Sequence, residues 1–427
     1  MSYYKICGGK SLSGTIRPQG NKNSALPLIA AALLTDQPVT LHNLPDIGDV
    51  RTKLALIESL GALVEFEGST CVIDASPVSQ QNPDPALSAK IRTSLLLAAP
   101  LLARFGRTRV FRPGGDRIGQ RNLDTHLSAL QAFGASIEAE SGSYVLTSMG
   151  LEATDLFLDE MSVTGTEQAL LCAVLAPGVT TISQAATEPH VQDLCRALVA
   201  MGARIQGIGT HSLRVIGVAS LGGIEFSISP DYMEVGSLIA LAAATRSSIR
   251  ITDAQPENQR ITQVAFRRLG VTWQVDGGDI VVPEYQELRI QKDFDGATPK
   301  IADLPWPGFP PDLISIAVVL ATQCEGSILI NQRMFDRRLV FVDRLIAMGA
   351  GIVQCDPHRV LVMGARQLRS ITLRSPDIRA GMSMVIAAMS AQGESIIENI
   401  AQIDRGYERL EERLSALGAD IQRCSSP

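Results

Sequence analysis

At 427 residues the chain is too long for one ordinary core, and two or three domains are expected. Hydrophobic residues make up 45% and charged residues 19%, as in a soluble globular protein, while aromatics at 4% leave Ala, Leu, Ile and Val to fill the interior. A formal charge of −6 with no Lys/Arg-rich tract argues against nonspecific nucleic-acid binding, which needs a net basic surface.

The seven cysteines (Cys7, Cys71, Cys172, Cys195, Cys324, Cys355, Cys424) are scattered, form no CxxC pair and do not cluster with the histidines. Neither a disulfide framework nor a metal site is expected, and buried, reduced thiols in a cytoplasmic protein are. No run reaches the ~18 apolar residues of a membrane span, and the N-terminal stretch has no apolar h-region, so no membrane partner is expected.

In chain order, short β-like runs at 3–7 and 14–18 come first. They precede a helical stretch at 25–34 that is apolar nearly all round. An amphipathic stretch at 49–60 follows, then Gly61 and a strand at 63–66. The same order returns five times. Stretches without a polar face, expected to be buried on every side, lie at 93–102, 167–175, 235–244, 313–322 and 381–389. Amphipathic ones lie at 123–133, 191–201, 259–269, 339–348 and 408–417, and each ends at a glycine: Gly134, Gly202, Gly270, Gly349 and Gly418. Gly after a helix supplies the left-handed residue that stops it, and β-branched residues beyond it, as at 271–275, start a strand.

A mark repeated every 68 to 79 residues means one supersecondary unit used six times. The unit reads βαβαββ, and six of them predict an α/β protein of two domains, each with three buried helices inside and sheets outside. One domain is expected over 22–229, carrying a mobile loop at 111–122, and the other over 1–21 and 230–427. The two N-terminal strands could pair with either half.

Unusual charges fall at the starts of these helices: Lys22, Asn23, Arg92, Asp231, Glu234, Asp312, Asp377 and Arg379 before the buried ones, and Asp49, Arg121, Arg338, Asp404 and Arg405 before the amphipathic ones. Arginine at a helix start opposes the dipole, so this set points to an anionic ligand, a small polyanion in a cleft between domains. The competing reading pairs the arginines with acids such as Asp336, Asp377 and Asp404. In the loop Arg112-Pro113-Gly114-Gly115-Asp116-Arg117, Asp116 is a turn residue or a placed acid.

The segments Gly20-Asn21-Lys22-Asn23-Ser24-Ala25-Leu26-Pro27, Pro113-Gly114-Gly115, Phe309-Pro310-Pro311-Asp312 and Asp404-Arg405-Gly406-Tyr407-Glu408 resemble the motifs of the bacterial UDP-N-acetylglucosamine enolpyruvyl transferases, in order along the whole chain. The resemblance implies two inside-out α/β barrel domains. It also implies transfer of the enolpyruvyl group of phosphoenolpyruvate to the 3-hydroxyl of UDP-N-acetylglucosamine, without metal or organic cofactor, in peptidoglycan synthesis. By the same resemblance Asp312 is the base and Asp116 the acid; Lys22, Arg121 and Arg405 hold phosphate; Arg338, Arg379 and Arg405 hold the carboxylate. Asn23 contacts the sugar, Arg121, Asn122, Leu123 and Asp124 frame the uracil, and Ser162 and Val163 approach the diphosphate. Arg92, Glu160, Met334 and Asp377 complete the implied substrate-binding set.

This chain departs from the family at several places. Asp116 stands where most members have Cys, so insensitivity to fosfomycin, whose epoxide a thiolate opens, is expected. Glu160 stands for a Lys, Asn122 for a Pro, Thr164 for a Gly and Trp306 for a smaller ring. They motivate an alternative, a paralogous enzyme acting on another nucleotide or nucleotide sugar. A silent sensor of nucleotide sugars, a different class again, would not need the acid, base and cations of a transfer site together.

Overall fold

A computed structural model describes residues 2–115 and 122–425. The described residues form two compact units. The first comprises 20–115 and 122–229, the second 2–19 and 230–425.

Each of the six glycine marks closes its helix in the same way. Gly61, Gly134, Gly202, Gly270, Gly349 and Gly418 all have φ between 82° and 108°. The next residue donates its N–H back five positions: Ala62 to Ile57, Ala135 to Leu130, Ala203 to Leu198, Val271 to Phe266, Ala350 to Leu345 and Ala419 to Leu414, at 2.9–3.1 Å. This is a Schellman stop, and a residue with a Cβ is strained at that φ.

The helices themselves differ from the sequence expectation at their starts. Four buried helices begin or are capped upstream of the first apolar residue, Lys22–Ala31, Val163–Ala173, Tyr232–Ala244 and Ile378–Ser390, while Ile314–Ala321 follows directly on a 3-10 turn without a side-chain cap. Asn21, Ser162, Asp231 and Asp377 accept hydrogen bonds from the first free N–H groups, so polar residues extend each helix before the apolar run opens. The second copy is split into a 3-10 segment Arg92–Leu97 and an α-helix Ala98–Phe105. Pro100 explains the split: it lacks an N–H, which is harmless in the first turn of a helix and disruptive in the interior of a longer one.

Each repeat places its strands in one small sheet. Four-stranded sheets form in five copies, and the second copy has three strands because the short helix Pro85–Ser88 stands where its first strand would be. At the two chain crossings the first strands are exchanged. Ser13–Ile16 runs parallel to Ser248–Ile251 in the second unit, while Ile224–Ser227 runs parallel to Val39–His42 in the first. Ser2–Gly8 inserts antiparallel between Gly393–Glu398 and Asp420–Ser425. Both N-terminal strands thus belong to the second unit. Residues 271–273, expected in a strand, lead instead to the strand Gln274–Asp276.

The interiors follow from composition. In the second unit three buried helices pack on one another around Leu238, Leu241, Ile316, Val319, Met384 and Val385, all fully buried. The first unit centres on Ile29, Leu33, Leu97, Leu101, Leu170 and Leu171. Cys71, Cys172, Cys195 and Cys324 are buried, and burial pushes each thiol up to about 12; Cys355 is exposed, and no disulfide forms among the described residues. No described helix is long and apolar enough to cross a membrane.

Candidate active site

In the first unit Gly20 lies so close to Asn43 that a Cβ would come within 1.7 Å of its carbonyl oxygen. Asn21 then caps the helix, and Lys22 becomes its first residue. A cation there opposes the dipole, and Asp49 compensates: its carboxylate lies 2.7 Å from Lys22 Nζ, both nearly buried. Asn23 is half-buried beside it.

One turn along the helix Gly48–Ser59, Lys53 is fully buried and donates to the Thr93 carbonyl at 2.6 Å. Burial pulls its ammonium down to about 7, opposed in part by Glu167. Burial, then the charge of Glu188, pushes Glu167 well above the usual carboxylate range. Lys53 and Glu167 carry no signal in the sequence, since a single charge in an apolar helical run reads as its solvent edge. Arg92, next to Thr93, donates to the Asn122 carbonyl at 2.8 Å.

Ser162 spends its hydroxyl on the Gly165 N–H, opening the helix that begins at Val163. Thr164 bonds His126 at 2.7 Å, and Thr125 donates to Asp159 at 2.7 Å; Glu160 is exposed, and its carboxylate lies 3.5 Å from the Thr125 hydroxyl. Leu123 precedes the helix Asp124–Ala132, and Asn122 and Asp124 are exposed. Asp116 and Arg121 lie outside the described residues.

The second unit concentrates its charge. Asp312 sits in the 3-10 turn Pro311–Leu313 that opens a buried helix, and its two oxygens take Arg338 Nη2 and, at 3.1 Å, Arg379 Nε. Asp377 caps the next helix through the N–H groups of Arg379 and Ala380, with Arg338 Nη1 4.0 Å away. Arg379, 4% exposed, also donates to the Tyr407 hydroxyl at 3.0 Å, with Asp231 3.8 Å off. Burial disfavours its charge, but Tyr407, Asp231 and Asp312 outweigh that and hold its proton more tightly than usual. Asp231 is pushed up by burial against the pull of Arg379.

The acids that pair these arginines are Asp312, Asp377 and Asp231; Asp404 pairs with Arg423 and not with Arg405. Arg405 donates to Gln402 at 2.9 Å in a turn held by Gln19. Gln19 is buried, donates to Gly406 and accepts from Glu408, both at 2.7 Å. Nothing in the sequence marks Gln19, whose side-chain partners lie 387 residues or more away. Met334 is exposed in the segment before Arg338.

One feature of this cluster looks outward. Nε and Nη1 of Arg338 are buried and have no protein acceptor among the described residues. Buried guanidinium donors are normally satisfied, so an edge of this arginine is fitted for an anion.

The comparisons with known proteins agree with this chemistry. The family model described as EPSP synthase (3-phosphoshikimate 1-carboxyvinyltransferase) matches residues 6–414. A protein of Bradyrhizobium diazoefficiens named UDP-N-acetylglucosamine 1-carboxyvinyltransferase is 54% identical, covering 98% of this chain and 97% of its own. One of the same name from Treponema denticola is 49% identical, with 99% of each chain covered. This chain belongs to the carboxyvinyl transferase family. Among solved structures, the enolpyruvyl transferase NikO from Streptomyces tendae matches with a TM-score of 0.87 at 24% identity, covering 100% of this chain and 99% of that one. EPSP synthase from Acinetobacter baumannii matches at 0.77 and 17%, covering 100% of both. These two likenesses establish the carboxyvinyl transferase fold. Within the described residues no group of three or more His, Cys, Asp or Glu is arranged to hold a metal ion.

Proposed function

We propose that this carboxyvinyl transferase moves the enolpyruvyl group of phosphoenolpyruvate to the 3-hydroxyl of UDP-N-acetylglucosamine, releasing phosphate, at the entry to peptidoglycan synthesis in the cytoplasm. The observation that carries the reading is the pair of buried donors on Arg338 beside a carboxylate, Asp312, already held by two arginines. A substrate carboxylate would complete the bonding of Arg338. Asp312, an acceptor in place, suits removal of a proton from a hydroxyl. The names of the relatives supply the acceptor.

The reaction is addition then elimination. The sugar oxygen bonds to C2 of phosphoenolpyruvate while its proton passes to Asp312, and Asp116 gives a proton to C3. The C2–O bond to phosphate then breaks, and loss of a proton from C3 restores the double bond. Lys22, Arg121 and Arg405 would hold the leaving phosphate, and Arg338, Arg379 and Arg405 the carboxylate. On the acceptor, Asn23 would meet the sugar, Asn122 to Asp124 the uracil, and Ser162 and Val163 the diphosphate, with Arg92, Glu160, Met334 and Asp377 lining the substrates.

Phosphate release measured with a panel of nucleotide-sugar acceptors tests the reading. Robust turnover with UDP-N-acetylglucosamine is expected; turnover only with another nucleotide would replace the acceptor and keep the reaction. Since Asp116 offers no thiolate, fosfomycin should cause no time-dependent loss of activity, and Asp116→Cys should create that sensitivity. Progressive inactivation of the unaltered enzyme would remove the role given to Asp116.

A further inference from the structure

Asp303 is a fully buried carboxylate that the reaction does not use. It stands where two neighbouring strands end. Lys300–Ala302 and Gly326–Asn331 run parallel, and both chains leave the sheet at this point. One continues through 304–311 to Asp312, the other through 332–337 to Arg338. The carboxylate of Asp303 bridges the two exits. It accepts from the Arg333 N–H at 2.5 Å, the Met334 N–H at 3.1 Å and the side-chain amide of Gln332. Its own N–H donates to the Asn331 carbonyl at 3.3 Å, and Leu304 closes the first segment by donating to Phe309 at 3.1 Å.

The two segments therefore meet twice: at their base through Asp303, and at their far ends through Asp312 and Arg338. A buried carboxylate is costly to desolvate unless its oxygens are filled, and here three donors from one turn fill them. Those bonds fix the direction in which residues 332–334 depart, hence where Met334 and Arg338 arrive. A hydrophobic residue would plug the same space without orienting two adjacent N–H groups.

We propose that Asp303 is a positioning residue, whose carboxylate sets the turn at 332–334 and through it the placement of Arg338 against Asp312. The consequence for turnover rests on the carboxyvinyl transfer described above; the tie itself does not. Asp303→Asn keeps the shape, offers one acceptor oxygen and turns an N–H toward the remaining donors. Asp303→Ala removes the tie altogether.

Hydrogen exchange and steady-state kinetics on the full chain separate the two levels. In Asp303→Asn, exchange at the amides of Arg333 and Met334 should accelerate at least about tenfold, while the buried helices keep their protection. The kcat should fall about 10- to 100-fold with a raised KM for phosphoenolpyruvate, because a misplaced cation costs transition-state alignment. Asp303→Glu should recover part of kcat, which a role in folding alone would not predict. Unchanged exchange at 333–334, or kinetic constants equal to the parent in a folded Asp303→Asn protein, would overturn the proposal. If the parent protein shows no turnover with UDP-N-acetylglucosamine, the acceptor assignment falls, and the exchange comparison still decides the role of Asp303.

Discussion

In the second unit one carboxylate, Asp312, serves two buried arginines, and Arg379 in turn touches Tyr407 and Asp231. In the first unit a helix start carries Lys22 paired with Asp49, and Lys53, Glu167 and Asp193 are buried as well. One repeat has thus been loaded in two ways. Arginine has enough donors to keep a carboxylate and still present an edge, as Arg338 does; lysine bound to Asp49 presents a point charge. On the proposed function the buried arginines of the second unit would orient a planar carboxylate, and Lys22 of the first would help to neutralise a phosphate.

The comparison breaks most directly at Asp312. Asp312→Asn takes from Arg338 and Arg379 the carboxylate that both bond directly, leaving them Asp377 at 4.0 Å and Asp231 at 3.8 Å, whereas Asp49→Asn takes the carboxylate 2.7 Å from Lys22. Removing one partner of a buried pair costs about 3–5 kcal/mol, so Asp312→Asn should cause the larger loss of stability in urea denaturation. It should also lower kcat by about 10²–10⁴-fold if Asp312 is the base proposed above. Equal stability losses for the two variants would show that the units do not differ as described.

Lys53 gives a smaller effect with a sign. Its folded-state value of about 7 lies below the ordinary 10.5, so between those limits the folded chain binds fewer protons than the unfolded one. Its contribution to stability is most unfavourable below pH 7 and improves as pH rises toward 10.5. Lys53→Met removes that dependence. Melting curves from pH 6 to 10 should show the parent gaining on the variant as pH rises; a constant gap would mean that Lys53 stays charged on folding.

The smallest effect tests what the units share. Gly202, in the first, and Gly418, in the second, have φ of 108° and 94°, and a Cβ at either would meet nothing within 4 Å. Gly202→Ala and Gly418→Ala should each cost about 1 kcal/mol, from backbone strain alone. Melting points about 2–4 °C lower, alike in both, are expected. A large difference would mean that the two helix stops are not equivalent.

Much of this molecule is legible in its sequence. The six glycine marks, the apolar helices and the strands behind them rest on local rules, and the structure shows all six stops made by the same backbone bond. The charges at helix starts were visible too, because a capping position that carries Lys or Arg departs from what a helix prefers. Two local readings missed their mark. Pro100 split a helix whose apolar run looked continuous, and the strand at 271–275 moved downstream.

Three things came only from the tertiary structure. Ser13–Ile16 and Ile224–Ser227 look alike as edge strands, and only pairing shows that each completes the unit across a chain crossing. Asp312 acquires its arginines from 26 and 67 residues away, and the Gln19 side chain its partners from the far end of the chain. Asp303 reads as a loop acid until the exits of two strands close on it. The repeat, the helix ends and the kinds of charge available depend on neighbours along the chain and are set locally. Which acid holds which arginine was left to packing, because a buried ion pair is chosen by the distance and desolvation that the folded chain imposes.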